Sequence, residues 1–148
     1  MDISFTDLTR HDLDDVMCIE AESEPNGWSR KVFWQKLKEP MTRARALQVD
    51  GETRAFTVCA AEGLSCHLLN IAVAPEWRRQ GLGTAALKDV EDFARQKTLV
   101  EIRFEVRESN LAAQMLYKKL GYEAIDILHA HYGNDDAYRM RKPIYLDS

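Results

Sequence analysis

The stretch Asn70-Ile71-Ala72-Val73-Ala74-Pro75-Glu76-Trp77-Arg78-Arg79-Gln80-Gly81-Leu82-Gly83-Thr84 decides how this chain is read. An apolar strand ends at Val73, a short basic turn follows, two glycines lie one residue apart, and a helix opens at Leu82. A helix start leaves its leading backbone N–H groups without partners and carries about half a positive charge. Glycines let a ligand approach that backbone closely, so the segment fits a cradle for a phosphate or pyrophosphate. Arg78 and Arg79 would add charge-assisted hydrogen bonds to an anion. A plain turn with solvated arginines would carry the same spacing. A P-loop is excluded, because no Lys-Ser/Thr pair follows the second glycine and a full G-x-G-x-x-G is absent.

Working outward, the strand of this stretch begins near residue 66, and two more strands over 44–50 and 53–61 are joined by the hairpin dipeptide Asp50-Gly51. Upstream, residues 3–8 read as a strand, and Thr9 with Asp12 opens a first helix carrying Leu13, Val16 and Met17. Ser29 should cap a second helix with Val32, Phe33 and Leu37 on one face, ending before Pro40. Downstream, residues 82–97 are helical, with Ala86, Leu87, Val90, Phe93 and Ala94 as a stripe of 3.6-residue period. Val100, Ile102, Phe104 and Val106 then alternate with Glu101, Arg103, Glu105 and Arg107 as a strand. Ser109 is expected to cap a last helix carrying Leu111, Met115, Leu116 and Leu120, with Gly121 just past its end. Strands over 122–128 and 137–142 close the chain. The order β-α-α-β-β-β-α-β-α-β-β predicts an α/β (α+β layered) fold, a mixed sheet flanked by helices.

The chain has 148 residues, 45% hydrophobic and 30% charged, which fits one domain over 1–148 with a real core. Its net charge of -4 argues against a nucleic-acid-binding surface, and no apolar run is long enough to span a membrane. A cytoplasmic protein is expected, since Met1-Asp2 begins no signal peptide. Cys18, Cys59 and Cys66 read as reduced thiols, not as a zinc site or disulfide frame. Cys66-His67 lies in a strand where neighbours face opposite ways, so it carries no expected chemistry. His129 and His131 would share a strand face but lack a third ligand, so no metal is expected.

Arg78, Gly81 and Gly83 after the strand meet the acetyl-CoA signature Arg/Gln-x-x-Gly-x-Gly/Ala, and the sequence resembles the GNAT acetyltransferase superfamily. The likeness continues through Phe104-Glu105-Val106-Arg107-Glu108-Ser109-Asn110 and Leu116-Tyr117-Lys118-Lys119-Leu120-Gly121-Tyr122. Within the superfamily it is closest to the ribosomal-protein-alanine N-acetyltransferase (RimI) type. It covers residues 5–142 and is densest from 68 to 122. The resemblance implies a mostly antiparallel sheet with one splayed strand pair, and acetyl-CoA as cosubstrate with no metal. It implies that Ile71, Ala72 and Val73 receive the pantetheine arm and thioester, with an N–H as oxyanion donor. The backbone of Arg79, Gln80, Gly81, Leu82, Gly83 and Thr84 would hold the pyrophosphate, and Asn110 would bond the pantetheine arm.

By the same resemblance Glu105 deprotonates the substrate ammonium, directly or through water, and Tyr117 protonates the departing thiolate. Without it, Glu105 would read as a solvated carboxylate beside Arg103 and Arg107, and Tyr117 as a core tyrosine. The expected activity is acetyl transfer to a protein N-terminal α-amine, that of an N-terminal alanine of a ribosomal protein, by direct attack. The family's Pro-Trp-Ser appears here as Gly27-Trp28-Ser29, and its paired loop tyrosines as His131-Tyr132. Trp28 and Tyr132 are thus candidate substrate-binding residues in altered surroundings. The six carboxylates of residues 12–24 read as a solvated helix face or a docking aid for a basic protein. A small-molecule amine or lysine acetyltransferase and a non-catalytic acyl-CoA-binding module are the alternatives.

Overall fold

The computed structural model describes residues 2–24, 27–132 and 135–144, with only the backbone of Tyr132. The strands are β1 (Ile3–Asp7), β2 (Thr42–Val49), β3 (Glu52–Glu62), β4 (Ser65–Val73), β5 (Glu101–Arg107), β6 (Glu123–Tyr132) and β7 (Asp135–Pro143). The helices are α1 (Leu13–Ser23), α2 (Arg30–Lys38), α3 (Leu82–Gln96) and α4 (Leu111–Lys119). The predicted order of elements is met. The strands form one sheet in the order β1-β2-β3-β4-β5-β7-β6, and β4 with β5 is its parallel pair among antiparallel neighbours.

Local chemistry explains the element boundaries. Thr9 N–H donates to Asp12 Oδ2 at 2.7 Å before α1. Ser29 Oγ accepts from Val32 N–H at 3.3 Å to open α2. The β2–β3 turn holds Asp50 at φ 51° and Gly51 at φ 86°, the two positive angles of a type I′ hairpin. Gly121 follows α4 at φ 97°, where a side chain would be strained. The cap of α4 is Asn110 and not Ser109: Asn110 Oδ1 accepts from Ala113 N–H at 3.1 Å, whereas Ser109 Oγ donates to Asp135.

Both faces of the sheet are covered. Leu13, Val16 and Ile19 of α1 and Phe33 of α2 pack with Phe56 and Val58 of β3. On the other face Leu87, Val90 and Ala94 of α3 pack with Cys59, Cys66, Leu68, Ile102 and Phe104. β3 is therefore buried at every residue from Ala55 to Cys59, Thr57 included, as a strand covered on both faces must be. β5 keeps its period of two, with Ile102, Phe104 and Val106 buried, but Val100 lies outside it and is exposed. α4 departs from expectation. Leu111, Met115 and Leu116 face outward, and Gln114 and Tyr117 are its buried residues. The apolar spacing suggested an inward stripe, yet Gln114 donates inward to the carbonyls of Arg107 and Glu108, so a polar residue ties this helix down.

Candidate active site

β4 and β5 pair only at Ser65–Glu101, Cys66–Ile102 and His67–Arg103, and beyond those residues they part. This is the splayed pair expected from the sequence. Antiparallel pairing to β3 and to β7 holds each strand on its far side. Backbone polar groups and side chains of the two arms thus face a shared cleft instead of each other. A cavity of about 130 Å³ fills the opening and is lined by Ile71, Glu105, Arg107, Asn110, Tyr117 and Glu24, among others. A larger groove of about 610 Å³ lies by Met41 and Phe93, but none of the candidate site residues lines it.

The cleft therefore brings together Ile71, Glu105, Asn110 and Tyr117, which are far apart in sequence. Ala72 and Val73 are not on the cavity wall. A bulge in the pairing of β3 with β4 leaves Leu69 without a register partner and turns Asn70 toward α1. There Asn70 Nδ2 donates to Glu20 Oε2 at 2.7 Å, and the same oxygen accepts from Trp28 N–H at 2.9 Å. Burial pushes the Glu20 carboxyl up, against the opposing pull of these two bonds. Trp28 itself does not line the cleft; its ring packs edge-on against Phe33 with centroids 5.1 Å apart. The Tyr132 side chain and the loop residues Gly133 and Asn134 lie outside the described residues.

Glu105 is not the solvated carboxylate that the charge pattern of its strand suggests. Its Oε1 lies 3.0 Å from His67 Nε2, and its side chain is 15% exposed. Burial alone would raise its pKa. The His67 bond, with the charges of His67, Arg139 and His131, outweighs that and holds the carboxyl below the ordinary carboxylate range. Tyr117 also lines this cavity and is buried, with its ring edge-to-face on Phe104 at 4.5 Å. Glu24, at the end of α1, accepts from Arg107 Nε at 2.8 Å across the mouth of the cleft.

At the start of α3, Arg79 and Gly81 take φ of 63° and 82°. This turn exposes the leading amides of the helix, whose first internal bond is Ala85 N–H to Gly81 O at 3.0 Å. A side chain at Gly81 would meet no atom within 4 Å, and one at Gly83 would reach Leu116 Cδ2 at 3.6 Å. An open glycine beside free-facing amides is a surface that fits a pyrophosphate. Arg78 donates from Nε to Val73 O and from a terminal nitrogen to Ser23 Oγ, both at 3.1 Å, which ties the turn to β4 and α1. Arg78 and Arg79 are both exposed beside the amides, and each keeps N–H donors that could meet an anion.

Sequence reasoning missed His67 and Glu20. Alternation along β4 puts Cys66 and His67 on opposite faces, and Cys66 is in the core. What brings His67 to Glu105 is the register of two strands distant in sequence, which no local spacing encodes. Glu20 belongs to the acidic segment that reads as a solvated face, but it is 3% exposed. Others of that group are also paired, Asp14 with Arg30 and Glu24 with Arg107. His129 and His131 do not share a regular strand face. Ala130 between them has φ 53°, within an irregular stretch of β6. Among the described residues no group of His, Cys, Asp and Glu could hold a metal ion, and no helix is long and apolar enough to cross a membrane.

Residues 13–122 match the Acetyltransferase (GNAT) family. The chain is 32% identical over 147 residues to the [ribosomal protein bS18]-alanine N-acetyltransferase of Escherichia coli (strain K12), covering 97% of this chain and 99% of that one. It is 31% identical to an N-alpha-acetyltransferase of Sulfurisphaera tokodaii, with 90% and 88% covered. The crystal structure of the ribosomal-protein-S18-alanine N-acetyltransferase from Escherichia coli superposes with a TM-score of 0.90 at 30% identity, over 99% of this chain and 97% of that one. With its sheet opened between β4 and β5 and a glycine turn leading into α3, this chain belongs to the GNAT family of N-acetyltransferases.

Proposed function

We propose that the chain transfers the acetyl group of acetyl-CoA to the α-amine of a protein N-terminus, an N-terminal alanine of a ribosomal protein, by direct attack. The observation that carries this reading is that Glu105 and Tyr117 line one cavity in the opening between β4 and β5. The relatives named for acetylation of a bS18 alanine and of N-terminal α-amines support it.

Bound acetyl-CoA supplies an acetyl group activated as a thioester. The amides of Gly81, Leu82, Gly83 and Thr84, with Arg79 and Gln80, would hold the pyrophosphate, and Arg78 would brace the turn against Val73 and Ser23. Ile71 and its neighbours Ala72 and Val73 would receive the pantetheine arm, with a backbone N–H to stabilise the oxyanion. Asn110 spends its side-chain oxygen on the cap of α4, so its amide group is the part that would donate to that arm.

Glu105 takes the proton of the acceptor ammonium at its carboxylate, directly or through one water. Tyr117 gives its hydroxyl proton to the departing thiolate. No covalent acetyl-enzyme is needed, and Cys59 and Cys66 are buried in the core. Glu24 and Arg107 line the cleft and would meet the acceptor, and the family likeness makes Trp28 and Tyr132 further substrate-binding candidates. The free thiols suit a cytoplasmic site of action. Mass spectrometry of protein N-termini with and without the gene tests the assignment. One or a few proteins should lose N-terminal acetylation, and an unchanged set of termini together with changed lysine acetylation would contradict it.

A further inference from the structure

His67 is the last residue at which β4 and β5 still pair, so it stands at the apex of the cleft. Its ring lies between two carboxylates: Nδ1 is 2.8 Å from Glu62 Oε2, and Nε2 is 3.0 Å from Glu105 Oε1. An ionised carboxylate only accepts, and a neutral imidazole has one N–H to give. Both bonds are satisfied together only by the imidazolium. We propose that His67 is a positioning residue, an imidazolium clamped between Glu62 and Glu105 that fixes the Glu105 carboxylate at the cleft apex in its ionised form. This rests on the reading of Glu105 as the base.

The need for such a residue follows from the site. Glu105 shares its cleft with Leu68, Phe104 and Val106, and removal from water favours the neutral acid, which cannot accept a proton from an ammonium. A cation 3.0 Å away reverses the preference. The charged groups around the pair come from every strand packed against it. Arg103 on β5 donates to Glu62 at 3.0 Å and opposes the imidazolium charge, whereas Glu62 on β3 supports it. Arg139 on β7 is the register partner of Glu105, and His131 on β6 adds to the positive field at the carboxylate. His67 is the one of these whose ring nitrogen is within hydrogen-bond distance of Oε1, so it sets direction as well as charge.

The test combines a titration of the free enzyme with rate profiles. In nuclear magnetic resonance of the ¹⁵N-labelled protein, the His67 ring should remain doubly protonated through neutral pH, and its midpoint should fall in Glu105→Gln. The kcat/KM profile with a peptide carrying a free N-terminal alanine should keep its acid limb low in the wild type. In His67→Gln that limb should move up by about one pH unit, toward the value a buried carboxyl takes without a cation. His67→Lys, which restores a positive charge, should recover part of the shift, and His67→Gln added to Glu105→Gln should change the profile no further. A His67 ring that titrates as an ordinary exposed histidine overturns the proposal even if the variants fail to fold. So does an unmoved acid limb in a folded His67→Gln enzyme that still binds acetyl-CoA. If Glu105→Gln itself keeps the wild-type rate and limb, the base assignment fails and His67 falls with it. If Glu105→Gln removes the limb while His67→Gln leaves it in place, the role of His67 fails alone.

Discussion

Replacing Glu20 by alanine should loosen the segment that carries Trp28 and destabilise the whole domain. A single oxygen, Oε2, accepts from both the Trp28 N–H at 2.9 Å and Asn70 Nδ2 at 2.7 Å, and the residue is 3% exposed. Removing it strands two donors in a site with little water, at about 1–3 kcal/mol each. Taking the lower half of that range leaves a loss of about 3 kcal/mol, which for a domain of this size lowers Tm by about 10 °C. Glu20→Gln is the informative control, because one amide oxygen can replace Oε2 in both bonds. The raised pKa of Glu20 sets the sign of its pH dependence. The folded chain binds this proton more tightly than the unfolded chain, so its contribution is largest below the ordinary carboxylate range and is lost as pH rises through the folded value. Glu20→Gln cannot ionise, so its stability relative to wild type should improve between acidic and neutral pH. Thermal unfolding across that range, followed by circular dichroism, reads all of this. Peptide KM should rise in Glu20→Ala while acetyl-CoA affinity holds. A Tm within about 2 °C of wild type in Glu20→Ala would mean that the two donors find other partners, and the structural role given to Glu20 would be wrong.

In Gly81→Val no atom lies within 4 Å of the new Cβ, but φ of 82° strains a β-branched residue, so the variant should fold with reduced stability. In calorimetric titration it should bind acetyl-CoA at least tenfold more weakly, since the branched side chain covers the exposed helix amides; unchanged affinity would remove the turn from the site. Tyr117→Phe should keep its ring contact with Phe104 and its acetyl-CoA affinity yet lose kcat by about 10-fold to 100-fold, as expected for a group acting only as the thiolate leaves. Equal turnover across pH would make Tyr117 a core residue and no more.

Much of the fold was legible because its signals are local. The β2–β3 hairpin follows from Asp50-Gly51, the end of α4 from Gly121, and β5 from strict alternation. What was not legible depends on register and on side chains reaching across elements. Asn110 displaced Ser109 as a cap because Ser109 is drawn to Asp135, a partner 26 residues away. The bonds of Arg78 to Ser23 and to the Val73 carbonyl join elements distant in sequence, so local spacing could not show them. The acidic run 12–24 shows the limit of composition, since charge count alone does not separate exposed Asp14 from buried Glu20. Likeness to a family points to Glu105 and Tyr117, and the fold adds that both line one cleft. His67 required the β4–β5 register itself.

The choice between an α-amine and a lysine as acceptor turns on the cost of deprotonation. An α-amino group of pKa about 8 is about one-fifth neutral at pH near 7.4, whereas a lysine of pKa about 10.4 is about 0.1% neutral. A single carboxylate base therefore faces a deprotonation cost smaller by about 3 kcal/mol with an N-terminus. The decisive measurement is a competition for limiting enzyme and acetyl-CoA between two peptides, one with a free N-terminal alanine and one N-terminally blocked and carrying lysine. Mass spectrometry then locates each acetyl group. Acetylation at the alanine α-amine, slowed in Glu105→Gln and partly restored as pH rises through the amine pKa, is the result expected. Preferential acetylation of the blocked, lysine-bearing peptide would contradict the assignment.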